Sequence, residues 1–207
     1  MRSLLIWILL PIAALGAKPA VSSGPLLILG DSLSAAYRIP VDAGWVALLE
    51  KRLAGRSNPP AIVNASISGE TTAGGLGRLP DLLARHKPAL VLVELGANDA
   101  LRGLPLAEIR ANLARILALC REARAQVLLV GIEIPVNYGP QYRDGLRAMY
   151  RDLAAEFNVP LVPFLLEGVA LDPALMQDDG LHPKAEAEPK VLDNVWPALE
   201  PLLNAVH

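Results

Sequence analysis

Leu90-Val91-Leu92-Val93-Glu94-Leu95-Gly96 is a short, nearly continuous apolar run that stops at a glycine. A strand with one wet face alternates apolar and polar residues. An almost unbroken run belongs instead to a strand covered on both faces, the situation inside a parallel sheet flanked by helices. Four more runs of the same kind lie at 26–29, 61–63, 127–130 and 161–162, the first bounded by Pro25 and Gly30 and the last followed by Pro163. Between them the apolar residues recur at helical spacing: Val46, Leu49 and Leu53 in 44–53; Leu76, Leu79, Leu82 and Leu83 in 76–85; Ile109, Leu113, Ile116 and Leu117 in 106–123; Leu146, Met149, Leu153 and Phe157 in 142–157. A last helix is expected over 184–203, bent or split by Pro189 and Pro197. Strands alternating with amphipathic helices predict an α/β domain, a three-layer α/β/α sandwich on a mostly parallel five-stranded sheet. No repeat or linker divides it.

In open parallel sheets, sites gather beyond the C-terminal ends of the strands. Three chemistry-bearing segments stand there: Gly30-Asp31-Ser32-Leu33-Ser34 after the first strand, Asn64-Ala65-Ser66-Ile67-Ser68-Gly69 after the second, and Gly96-Ala97-Asn98-Asp99 after the third. A fourth, Asp179-Gly180-Leu181-His182-Pro183, precedes the last helix. Ser32 is expected to open a helix, where the helix-end field favours developing negative charge on its hydroxyl. The plain alternative is an N-cap serine. Ser34 is a rival nucleophile that should face into the first turn, and Asp31 ties the loop together. Of the three histidines, His86 ends a surface helix, His207 is terminal, and His182 alone is framed by turn residues. A carboxylate three residues upstream, Asp179, can reach its Nδ1 and leave Nε2 for the serine; Asp178 is the alternative partner. The amide of Asn98, with the Ser32 and Gly69 N–H groups, can hold an oxyanion. These are the parts of an acyl-transfer site.

The set resembles the SGNH hydrolases, also called the GDSL family, over essentially the whole chain after the leader. The match extends through Gly69-Glu70-Thr71, Val93-Glu94-Leu95-Gly96-Ala97-Asn98-Asp99 with Leu101-Arg102-Gly103, Pro135-Val136-Asn137-Tyr138-Gly139, and Gln177-Asp178-Asp179-Gly180-Leu181-His182-Pro183. It is similar above all to the periplasmic thioesterase I, protease I and lysophospholipase L1 subgroup and its arylesterases. The resemblance implies a flavodoxin-like fold, a Ser32–Asp179–His182 triad, and oxyanion donors on Ser32, Gly69 and Asn98. It also implies an acyl groove lined by Leu101, Ile134, Pro135 and Tyr138, and an ester or thioester substrate carrying an acyl chain. Aryl esters, short to medium acyl esters, acyl-CoA and lysophospholipids fall in that class. Ala97 and Ala100 stand where glycines are usual, and Glu70 where aspartate is usual; these departures stiffen the loop after Asn98 and bear on chain length rather than chemistry. A carbohydrate O-acetylesterase on the same scaffold needs a polar groove, against which Leu101, Ile134 and Pro135 argue. A non-catalytic binding domain has no use for the complete set.

Composition narrows the reading further. The 207 residues are 53% hydrophobic with a formal net charge of −2, and no basic stripe supports nucleic-acid binding. Arg2, the apolar run 4–15 and the small residues of Ala14-Leu15-Gly16 read as a secretory signal over 1–16, ahead of one hydrolase domain over 17–207. The expected location is periplasmic or secreted, with an uncleaved anchor as the alternative. The single cysteine, Cys120, lies on an apolar helical face as a core filler and forms no internal disulfide. Metal-ligand spacing is absent, so neither metal nor cofactor is expected. The glycine run 74–77 lacks the Lys-Ser/Thr of a phosphate loop. The expected form is a monomer making at most transient contact with membrane lipid.

Overall fold

The computed structural model describes residues 24–206, so the expected signal segment lies outside the described residues. Five parallel strands, β1 (Leu26–Gly30), β2 (Ile62–Asn64), β3 (Leu90–Glu94), β4 (Gln126–Val130) and β5 (Leu161–Val162), form one sheet in the order β2-β1-β3-β4-β5. Six helices accompany them: α1 (Trp45–Leu53), α2 (Thr72–His86), α3 (Ala97–Leu101), α4 (Leu106–Glu122), α5 (Pro140–Phe157) and α6 (Glu188–Val206).

Strand periodicity explains the unbroken apolar runs. Leu27, Leu29, Val91, Val93, Val127 and Leu129 point to one face and pack with Leu79, Leu113, Leu117 and Leu153 of α2, α4 and α5. Leu26, Ile28, Leu90, Leu92, Leu128 and Val130 point to the other and pack with Leu49 of α1 and Val191, Val195 and Leu199 of α6. Both faces are dry, so neither parity of residue can be polar. Glu94 at the end of β3 breaks that rule and is fully buried. Cys120 is buried in the core as expected, where desolvation pushes its thiol up to about 12.

Helix boundaries differ from the sequence expectation where glycine and proline intervene. Helix α2 begins at Thr72, four residues early, behind a Thr71 cap whose Oγ1 accepts the Gly74 N–H at 3.2 Å. The weak helix formers Gly74, Gly75 and Gly77 mask this turn in the sequence. Gly75 is needed for close packing: a Cβ there would lie 2.4 Å from Leu95 Cδ1. Before α6 a short 3₁₀ turn spans Ala185–Ala187, and the helix then runs unsplit from Glu188 through Pro197 and Pro201 to Val206. Pro189 falls in the first turn, where its missing N–H has no helical acceptor to lose. Glu188 also caps α1, accepting the Trp45 N–H at 2.7 Å.

Candidate active site

Each functional segment leaves the C-terminal end of a strand or enters α6, and the sheet order brings them to one edge. β1 lies between β2 and β3, so the loops carrying Ser32, Gly69 and Asn98 are neighbours. The β2 loop is stitched along β1 by Ala65 N–H to Ile28 O (2.9 Å) and Ile67 N–H to Gly30 O (3.1 Å). Asn64 Nδ2 donates to Ser34 O at 2.9 Å, and Arg78 holds the far side of the loop through Glu70 (2.7 Å) and Ala65 O (3.0 Å).

Ser32 does not open a helix. Residues 32–38 form successive turns, with Ala35 N–H bonded to Asp31 O (3.0 Å) and Tyr37 N–H to Ser32 O (3.3 Å). Ala36 and Arg38 adopt positive φ, which interrupts any helical continuation. The hydroxyl is therefore presented by a turn and not by a helix N-terminus. Ser34, the rival, is buried and donates to Glu94 Oε2 at 2.7 Å, so its hydroxyl serves the loop interior.

His182 Nε2 lies 2.8 Å from Ser32 Oγ, and its Nδ1 lies 2.8 Å from Asp179 Oδ2. With Nδ1–H donated to the carboxylate, Nε2 is the acceptor for the serine hydroxyl. Asp179 Oδ1 accepts the N–H groups of Leu181 (2.9 Å) and His182 (3.1 Å). Partial burial works against its charge, but these hydrogen bonds and the His182 ring outweigh burial and lower its pKa. Of the two candidate aspartates, Asp179 is the one that bonds the imidazole. The turn is closed at its base by the Met176–Pro183 bridge and by Gln177 N–H to His182 O at 2.8 Å. The Tyr37 ring packs on the imidazole with centroids 4.4 Å apart.

Gly69 has φ +80, the left-handed region glycine adopts at little cost. Among the described residues, neither its N–H nor that of Ser32 has a protein acceptor. Asn98 differs: its Nδ2 donates to Asp31 Oδ2 (3.0 Å) and to Glu70 O (2.9 Å). Asp31 is fully buried, its Oδ1 accepting Leu33 N–H at 3.0 Å, and burial raises its pKa to about 6 despite these bonds. Glu94 beside it is pushed well up, first by burial and then by the Asp31 charge, and its Oε1 has no partner among the described residues. Two buried carboxyls thus meet at the base of the Ser32 loop, and composition gave no sign that they would be neighbours.

A cleft of about 120 Å³ opens beside Ser32, His182 and Asn98. Leu101 and Ile134 line it as expected; Pro135 and Tyr138 do not. Tyr138 instead donates its hydroxyl to Leu101 O at 2.7 Å and so buttresses the wall. Ile132, Glu133, Phe164 and Leu166 also line the cleft, residues that sequence reasoning missed. Phe164 and Leu166 follow β5, a strand-end position that was the available signal. Asn98 is the second residue of the short helix α3, which also contains Ala97 and Ala100. Among the described residues no group of three or more His, Cys, Asp or Glu is arranged to hold a metal ion.

Known proteins resemble the chain over most of its length. A model of the GDSL-like lipase/acylhydrolase family matches residues 28–188. The chain is 50% identical over 203 residues to Esterase TesA of Pseudomonas aeruginosa, covering 98% of this chain and all of that one. It is 48% identical over 185 residues to Thioesterase 1/protease 1/lysophospholipase L1 of Escherichia coli K12, covering 89% and 88%. The crystal structure of the esterase EstA from Pseudoalteromonas, inhibited by monoethylphosphonate, superposes with a TM-score of 0.83 at 39% identity, covering 87% of this chain and 99% of that one.

Proposed function

This chain belongs to the GDSL-like lipase/acylhydrolase family and is an ester hydrolase, and from that premise we propose that Ser32, His182 and Asp179 carry the reaction. Ser32 Oγ attacks the carbonyl carbon while His182 Nε2 takes its proton. Asp179 holds the ring in the Nδ1–H tautomer and stabilises the imidazolium. The tetrahedral oxyanion is received by the N–H groups of Ser32 and Gly69 and by Asn98, which turns one amide hydrogen from Asp31 toward the new charge. The imidazolium protonates the leaving alcohol or thiol, and the acyl group remains on Ser32. Water, deprotonated by His182, then releases the acid.

The observation that carries this reading is the relay of two 2.8 Å contacts, Ser32 Oγ to Nε2 and Nδ1 to Asp179. The cleft lining of Leu101, Ile132, Ile134, Phe164 and Leu166 favours an acyl chain over the sugar of a carbohydrate O-acetylesterase. Substrates are aryl and short to medium acyl esters, with acyl thioesters and lysophospholipids as further members, the latter two kinds of activity appearing in the name of the E. coli relative. The protein works as a monomer in the periplasm or outside the cell after loss of residues 1–16, with lipid contact only transient. No helix among the described residues is long and apolar enough to cross a membrane.

The test is hydrolysis of p-nitrophenyl esters from acetate to palmitate by the protein and its Ser32→Ala variant, with labelling by an organophosphonate. Activity and labelling both vanish in the variant if the assignment holds. An active Ser32→Ala enzyme overturns it.

A further inference from the structure

Glu133 is the one charged residue after β4 that lines the acyl cleft, and it stands between two apolar neighbours, Ile132 and Ile134, that line it too. Its carboxylate is fixed. Arg147 grips it with two prongs, Nε to Oε1 at 2.8 Å and Nη2 to Oε2 at 2.6 Å, and Arg143 Nη2 approaches Oε2 at 3.4 Å. Arg143 is itself anchored to Ile134 O at 3.0 Å, and Arg147 to Asp144 at 2.8 Å. A bidentate, multiply braced pair of this kind holds its geometry better than a lone surface ion pair. The Arg147 hydrogen bonds lower the pKa of Glu133, so it is charged at neutral pH.

The cleft is small. Its 120 Å³ is less than the roughly 150 Å³ in which an apolar cavity takes up benzene. A short acyl chain fits among Leu101, Ile134, Phe164 and Leu166. A longer chain packs along more of the wall that Glu133 shares with Ile132 and Ile134, and must strip water from a carboxylate whose side chain is still 26% exposed. Apolar atoms offer that carboxylate nothing in exchange for the lost hydration.

We propose that Glu133 is a specificity-determining residue: its carboxylate, held in place by Arg147 on the wall of the acyl cleft, sets an upper limit on acyl-chain length. The inference rests on the reading that the acyl group is bound beside Ser32. It makes short-chain carboxylic esters the preferred substrates and long-chain esters poor ones.

The test compares kcat/KM for p-nitrophenyl butyrate and decanoate in the wild type, Glu133→Leu and Glu133→Gln. The wild type favours butyrate. In Glu133→Leu the decanoate-to-butyrate ratio rises about tenfold, the gain of one or two newly accommodated methylenes. In Glu133→Gln, which keeps one hydrogen bond to Arg147 but not the charge, the ratio rises about threefold. A ratio that stays at the wild-type value in a folded variant overturns the proposal, as does a wild type that already prefers decanoate. If Glu133→Leu does not fold by circular dichroism, Glu133→Gln alone decides. Failure of the underlying reading is seen separately, as Ser32→Ala retaining activity on butyrate.

Discussion

Gln177 Nε2 donates to the Tyr37 carbonyl at 2.9 Å, joining two residues 140 positions apart in the chain. The same nitrogen donates to Pro183 O at 2.8 Å, and the Gln177 N–H donates to His182 O at 2.8 Å. One side chain thus fastens the loop of His182 to the loop that follows Ser32. Tyr37, at the other end of the fastening, lays its ring on the imidazole.

Replacing Gln177 by Leu keeps most of the volume and removes both donors. The expected result is a fall in kcat of about tenfold with KM nearly unchanged, because an ångström of misplacement between base and nucleophile is felt in the transition state more than in binding. Stability falls by about 1–2 kcal/mol for the unpaired carbonyls. The measurement is steady-state kinetics on p-nitrophenyl butyrate in wild-type and His182→Ala backgrounds. If Gln177 acts through His182, its substitution changes nothing once His182 is gone; an equal loss in both backgrounds refutes the role.

Asn98 is held by Asp31 before any substrate arrives. Asn98→Ala is expected to lower kcat by about 10²–10³-fold, the usual loss for one oxyanion donor. Asp31→Asn, measured alone and with Asn98→Ala, separates orientation from packing. The two losses combine to less than their product if Asp31 acts by orienting the amide, and multiply if it does not.

Glu188 links α6 to the start of α1, and burial raises its pKa from 4.5 to about 7 even though the Trp45 N–H favours its charge. The folded protein keeps this proton where the unfolded chain has lost it. The group's contribution to stability is therefore complete below about pH 4.5 and is lost as pH rises through 7. Glu188→Gln still accepts from Trp45 and carries no charge to bury. It should match the wild type near pH 4 and exceed it at pH 8 by up to about 3 kcal/mol, the free energy of a shift of this size. Urea unfolding at the two pH values measures this. A variant less stable than wild type at pH 8 contradicts it.

Strands β1, β3 and β4 were legible because a strand with two dry faces must be apolar at every position, a pattern few other elements share. The start of α2 was not, because Thr71 caps a turn full of glycine and only the approach of Leu95 explains why glycine is there. The turn after Ser32 was misread as a helix. Strand–Gly–Asp–Ser is compatible with either outcome locally, and the choice falls to Asp31 O, Glu94 and two positive-φ residues. The cleft lining was half legible: Leu101 and Ile134 lie in segments that already carried motif residues, whereas Phe164 and Leu166 follow a two-residue strand, β5, with no motif to mark them.

The sequence by itself determined the parallel α/β architecture and the set of reactive groups, since apolar periodicity and residue chemistry are properties of short segments. Only the tertiary structure decided which serine faces His182, which aspartate bonds it, that Asn98 starts out held by Asp31, and that a Glu133 held by Arg147 lines the cleft beside them. Those are relations between atoms far apart in the chain, fixed by strand order and by side chains such as Gln177 and Glu94 whose partners no local pattern can name.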